Sequence, residues 1–212
     1  MPASAAPGVT ATTITIGQSA ALAGPSTNLG KEMREGALAY FDEVNRQGGV
    51  HGRKIVLKTL DDAYDAERAA KNTIQLSEKD GVFALFGYAG TAQAKAALPF
   101  AEKNDVPFFA ALSGGEALHG RVHPNVFNIR ASNAQEMDQI AENLQGMGSK
   151  KIVILHPDDA AGKAGRDAFE RALQKHRLSL AGSVTIERNG FDVAAAVTKV
   201  RARRAWSGPA RT

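Results

Sequence analysis

The chain has 212 residues, of which 43% are hydrophobic and 23% charged, and it contains no cysteine. That length can bury a sizeable core as one large domain or two small ones. The missing cysteine excludes disulfides, thiolate nucleophiles and cysteine metal sites, and it selects no redox compartment. The formal charge of +4 belongs to residues 201–212, which hold Arg201, Arg203, Arg204 and Arg211 and no acidic residue; the remainder is formally neutral. With no basic stripe interleaved with aromatics, nucleic acid is not an expected partner.

No apolar run approaches the roughly 18 residues of a membrane span. The opening Met1–Gly8 has neither a basic nor an apolar signal region, so it is not an intact signal peptide, although its small residues suit the surroundings of a cleavage site. Residues 1–11 are expected to be a disordered remnant. Thr12–Gly17 is β-branched and alternating, which predicts a first strand. A small, polar loop over Gln18–Asn28 follows. Leu29, Met33, Tyr40, Phe41 and Val44 then fall on one helical face, and Gly48-Gly49 ends the helix. A second strand is expected over Lys54–Leu60, closing at Asp61-Asp62. Asp65 is placed to cap a helix running to about Glu78.

The third strand, Val82–Phe86, leads into Gly87-Tyr88-Ala89-Gly90-Thr91. Two glycines free the backbone to turn, and Thr91 stands where an N-cap belongs, ahead of a helix over Ala92–Glu102. Such a turn offers unpaired N–H groups and a hydroxyl at the positive end of a helix dipole, which suits a small anion such as a carboxylate; it is equally compatible with a plain strand-to-helix connection. Pro99 is expected to kink that helix. A fourth strand over Val106–Leu112 ends at Ser113-Gly114-Gly115, and a fifth covers Val126–Arg130.

This alternation of strands and helices predicts an open parallel sheet with helices on both faces. Ligands on such sheets gather at the carboxyl ends of strands, so the loops after strands one, three and four are the candidates. The pattern then restarts: a helix over Ala134–Gly146, a strand over Ile152–Leu155, a loop over His156–Gly165, a helix over Arg166–His176, a strand over Leu180–Ile186 and a helix from Asp192 to Val200. Two strands cannot make a well-covered parallel sheet, so this second unit reads as cut short. The expected division is 12–130 for the first α/β lobe, 131–200 for a partial second lobe and 201–212 for a basic tail.

Catalytic and metal motifs fail. Gly24–Lys31 has five residues between its glycines rather than four, and Glu32 where a phosphate loop needs a hydroxyl. No Gly-x-Gly-x-x-Gly follows the first strand, and there is no Gly-x-Ser-x-Gly elbow or His-Glu-x-x-His pair. His119 and His123 have helical spacing, but Gly120 and Pro124 break it, so they read as two surface loop histidines. Asp61, Asp62 and Asp65 read as a strand-end turn and a helix cap rather than a metal cluster. No catalytic residue, metal site or cofactor is expected.

Five stretches in order carry a resemblance. Ile14–Pro25, Phe41–Arg53, Asp61–Asp65, Gly87–Thr91 and Val126–Ser132 resemble the type I periplasmic solute-binding proteins of ABC transporters, of the leucine/isoleucine/valine-binding kind, over about Thr12 to Val200. The resemblance implies two Rossmann-like α/β lobes with parallel sheets that close on a ligand like a hinged trap. It implies an amino acid or amide as the small-molecule ligand, an ABC permease in the membrane as partner, a periplasmic location and no enzymatic activity. By position it assigns Gly90 and Thr91 to the carboxylate turn and Leu112, Ser113 and Gly114 to a second carboxylate-side loop. Leu29 falls where some relatives set an aromatic residue against the ligand side chain, and Ala161 where an aromatic is common in the second lobe; both are departures. Members of the family also carry a complete second lobe with an acidic partner for the ligand ammonium, whereas this sequence is apparently truncated. The resemblance therefore implies weak binding or none. The composition of residues 201–212 resembles a GC-rich frame read after a shift, with a genuine basic tail as the alternative. A ligand-binding sensory domain and an α/β enzyme acting on a phosphorylated or nucleotide substrate are the other function classes.

Overall fold

The computed structural model describes residues 6–24, 26–158, 160–187 and 193–202. The chain divides into two compact units, Met1–Ser132 and Asn133–Thr212. In the first, β1 (Thr13–Ala20) pairs in parallel with β2 (Lys54–Asp61) on one side and β3 (Ala84–Phe86) on the other; β4 (Phe108–Phe109) and β5 (Val126–Phe127) follow. The order β2-β1-β3-β4-β5 reverses between β1 and β3. That reversal opens a crevice at the carboxyl ends of those two strands.

Strand one extends three residues beyond its expected end. Gln18, Ser19 and Ala20 belong to β1 and are buried, so the polar loop starts later than its composition suggests. Their burial is tolerated because the polar atoms are paired: Gln18 accepts from Thr59 Oγ1 at 3.0 Å, and Ser19 Oγ donates to Asp62 at 2.7 Å. Strand four is shorter than its apolar run. Ala110 adopts φ +57°, a left-handed conformation that ends regular pairing after Phe109. The start of the chain also differs from expectation. Thr15 N donates to Gly8 O at 2.7 Å and Arg53 Nε to Thr10 O at 2.9 Å, so residues 6–11 fold back on the sheet rather than being disordered.

The helices are α1 (Thr27–Arg46), α2 (Ala66–Ile74), α3 (Thr91–Lys103) and the single turn α4 (Glu116–His119). Asp65 caps α2 as expected, accepting from Arg68 N at 2.8 Å, and a π turn over Gln75–Lys79 continues that helix. Helix α3 continues past Pro99 to Lys103. Alanines on α3 pack with Leu85 and Phe108 of the sheet and with Tyr88 of the turn after β3 to form the main core.

The second unit holds β6 (Ile152–Pro157) parallel to β7 (Leu180–Ile186), with α5 (Asn133–Gly146), α6 (Ala160–Lys175) and α7 (Val193–Ala202). Helix α6 takes in most of the expected 156–165 loop; a glycine is needed at Gly162, where a Cβ would strike Pro157 O at 2.0 Å. Ala141, Ile152, Phe169 and Leu173 form its core. Residues 203–212, and with them the question of a shifted frame, lie outside the described residues.

Candidate functional site

The loops leaving β1, β3 and β4 occupy the carboxyl edge of the first unit's sheet. Gly87 and Gly90 turn the chain at φ +62° and +99°, and Gly90 is the N-cap residue of α3. Thr91 is therefore the first helical residue and not the cap. Its hydroxyl is released from capping and meets Ser113 Oγ at 2.9 Å. Ser113 is buried and also accepts from Gly115 N at 3.1 Å, whereas Thr91 is exposed. Either hydroxyl can donate across this contact; when Ser113 donates, the proton of the exposed Thr91 hydroxyl is left for a ligand. The first intrahelical bond of α3 runs from Ala94 N to Gly90 O, so the amides of Thr91, Ala92 and Gln93 precede it at the positive end of the dipole. Hydroxyl proton and helix end together suit a carboxylate.

Two close approaches fix this geometry. A Cβ at Gly115 would sit 2.3 Å from Thr91 Cγ2, and one at Gly90 would sit 2.3 Å from Gln93 Oε1 and 3.0 Å from Tyr64 Oη. Leu112 threads the two loops together: its N–H donates to Tyr88 O at 2.7 Å, and its carbonyl accepts from Gly90 N at 3.3 Å. The Gly90 amide is thus spent on the neighbouring loop. Of the residues singled out in the sequence, Gly90, Thr91, Leu112, Ser113 and Gly114 come together. Leu29 lies on the first turn of α1, partly exposed. The side chain of Ala161 lies outside the described residues.

The acidic pair after β2 serves the backbone. Asp61 Oδ1 accepts from the amides of Leu22, Ala23 and Ala63 at 2.8, 3.2 and 2.9 Å, and Asp62 accepts from Tyr64 N at 2.8 Å. Burial pushes Asp61 up, but those three amides and Arg68 outweigh it, and its carboxyl ends below the usual range. For Asp62 burial prevails over the bonds from Ser19 and Tyr64, and its carboxyl is raised. Sequence reasoning read the turn but missed Tyr64 and the buried Ser19–Asp62–Asn72 chain, in which Asn72 Nδ2 donates to Ser19 Oγ at 3.0 Å. Those partners are 43 to 53 residues apart, a separation no local motif reveals. The two histidines also differ from expectation. His123 is buried, with its ring nitrogens 2.6 Å from Glu102 and 3.0 Å from Ala117 O, and His119 ends α4, 3.2 Å from Ser113 O. Among the described residues no group of His, Asp and Glu is arranged to hold a metal ion, and no helix is long and apolar enough to cross a membrane.

A model of the periplasmic binding protein family matches residues 13–207. The chain belongs to that family. A relative, Leu/Ile/Val-binding protein homolog 3 of Brucella melitensis, is 30% identical over 189 residues, covering 89% of this chain and 51% of its own length. The crystal structure of a substrate-binding periplasmic protein from Ralstonia solanacearum is 31% identical with a TM-score of 0.75, covering 89% of this chain and 54% of its own. The branched-chain amino acid transporter substrate binding protein LivJ of Streptococcus pneumoniae, solved in complex with isoleucine, shares the fold at 23% identity and a TM-score of 0.75. The chain spans about half the length of these proteins.

Proposed function

We propose that this chain carries the carboxylate-holding half of an extracytoplasmic solute site that captures an amino acid, or a similar small carboxylate, for an ABC transporter. The observation that carries the reading is the Thr91–Ser113 hydroxyl pair, 2.9 Å apart at the amino end of α3. A hydroxyl able to donate, set at the amino end of a helix, is the recognition chemistry of a carboxylate. The names of relatives that bind leucine, isoleucine or valine support an aliphatic amino acid as the first ligand to try. In this reading the solute is bound and released unchanged, no cofactor takes part, and the permease is the partner outside the chain. Gly90, Thr91, Leu112, Ser113 and Gly114 form the half-site, and Leu29 would border the ligand side chain with little to grip it.

Binding through one half of a pocket is expected to be weak. Titrating the isotopically labelled chain with leucine, isoleucine and valine should shift the amides of Thr91, Ala92, Ser113 and Gly115, with dissociation constants in the millimolar range. Thr91→Val should abolish those shifts. Shifts that map elsewhere, or none at saturating ligand, overturn the assignment; calorimetric affinity in the micromolar range would show that the chain holds a whole pocket.

A further inference from the structure

We infer that Tyr64 is a positioning residue for the carboxylate site, a role that rests on the reading of that site given above: from the turn after β2 it holds the Gly87–Thr91 turn in the shape a ligand meets. The loops after β1, β3 and β4 form the site's edge, and the turn over Asp61–Asp65 is bonded to two of them. Asp61 Oδ1 accepts from Leu22 and Ala23 in the loop after β1. Tyr64 O accepts at 2.6 Å from Nε2 of Gln93, which stands in the first turn of α3.

The backbone of this turn is strained. Ala63 and Tyr64 both adopt left-handed conformations, at φ +49° and +63°. A bulky aromatic residue seldom takes that conformation, and it persists only where its surroundings over-determine it. Two hydrogen bonds do so here: Asp62 Oδ1 accepts from Tyr64 N at 2.8 Å, and Gln93 donates to Tyr64 O. Asp62 is itself buried and fixed by Ser19 Oγ at 2.7 Å. Both bonds to residue 64 are made by its main chain, however, so they account for the conformation and not for the tyrosine. Glycine or asparagine would make them with less strain. What the tyrosine adds is its side chain.

That side chain reaches the site. Its hydroxyl oxygen and Gln93 Oε1 take the space where a side chain on Gly90 would stand, 3.0 and 2.3 Å from the position of a Cβ. Gly90, at φ +99°, is the cap of α3 and the residue before Thr91. Its amide donates to Leu112 O, next to Ser113. Two loops therefore fix Gly90, the phenol and Gln93 through its bare Cα and Leu112 through its N–H. With Gly90 they fix the Thr91 hydroxyl, 2.9 Å from Ser113. Gln93 is buried and joins the two halves of the brace, its amide nitrogen on Tyr64 O and its oxygen over Gly90. Backbone strain retained beside a binding turn is expected where a geometry has to be held in advance of the ligand.

Tyr64→Asn separates positioning from stability, because asparagine accepts the left-handed conformation and keeps both main-chain bonds while the phenol is lost. Nuclear magnetic resonance of the isotopically labelled chain is the test. Without ligand, amide exchange at Gly90 and Leu112 should quicken about tenfold, while β1 and β3 keep their rates and the thermal midpoint is unchanged or raised. With leucine added, the shifts of Thr91 and Ser113 should require about fivefold more ligand. Gln93→Met, which deletes the donor to Tyr64 O, should repeat both effects. Unchanged exchange at Gly90 and Leu112 in both variants overturns the inference. So does a lower midpoint for Tyr64→Asn with faster exchange across the whole sheet, which would make Tyr64 a packing residue only. If the unsubstituted chain shows no leucine shifts, the carboxylate reading falls instead, and the ligand-free exchange still decides whether Tyr64 holds the turn.

Discussion

At the scale of single residues, the site is governed by two contacts that leave no room for a methyl group. Gly115→Ala would place a carbon 2.3 Å from Thr91 Cγ2. Thr91 must then rotate or α3 must shift, and either movement separates the hydroxyls. The amide shifts of Thr91 and Ser113 on adding ligand should vanish while overall helicity is kept, a result that circular dichroism and a repeat of the titration would check. The acidic pair supplies a second residue-scale expectation, with opposite signs on adjacent carboxyls. Asp61 is held low, so its contribution is present above the ordinary carboxylate range and is lost as pH falls through the depressed value. Asp62 is held high, so it costs stability as pH rises from the ordinary value through the raised one. Urea midpoints measured from pH 3 to 7 should show the deficit of Asp61→Ala shrinking toward low pH. Asp62→Asn should gain on the wild type as pH rises above about 4, the unperturbed value for an aspartate. At neutral pH, Asp61→Ala orphans three amides and is expected to cost about 1–3 kcal/mol.

Among the elements, caps and turn chemistry were legible and strand ends were not. Asp65 announces α2 by residue type and position, and Asp65→Ala should lower stability by about 1 kcal/mol, read as a fall in the thermal midpoint. The helix after Gly90 was legible too, but the cap was displaced by one residue because Gly90 itself takes the non-helical conformation, leaving Thr91 for Ser113. Strand β4 shows why ends are hard to read. Val106–Leu112 is apolar almost throughout, yet the left-handed φ of Ala110 stops the strand at Phe109, and backbone strain of that kind has no signature in an alanine. Strand β1 errs the other way, because Gln18 and Ser19 are polar by type and buried by partnership with Thr59 and Asp62. The carboxylate-side loops were identifiable from strand order alone, whereas the Ser113–Thr91 contact depends on a pairing 22 residues apart.

For the whole molecule, the decisive fact is that each unit has its own core. Ala141, Ile152, Phe169 and Leu173 close the second unit, and the larger cluster around Leu85, Tyr88 and Phe108 closes the first. Leu173→Ala should therefore cost about 2–5 kcal/mol within the second unit. Amide exchange should accelerate across Asn133–Lys175 while β1 and β3 keep their protection. Loss of protection in both units together would mean that they unfold as one. The five-stranded order also bears on synthesis. Strand β2 pairs with β1, β3 with β1, β4 with β3 and β5 with β4, so every strand after the first joins one made before it. A nascent chain emerging from the ribosome amino end first can add each strand to a growing edge without waiting for anything still to be translated. These five strands can thus pair in the order in which they are made, the last of them once Phe127 has cleared the exit tunnel.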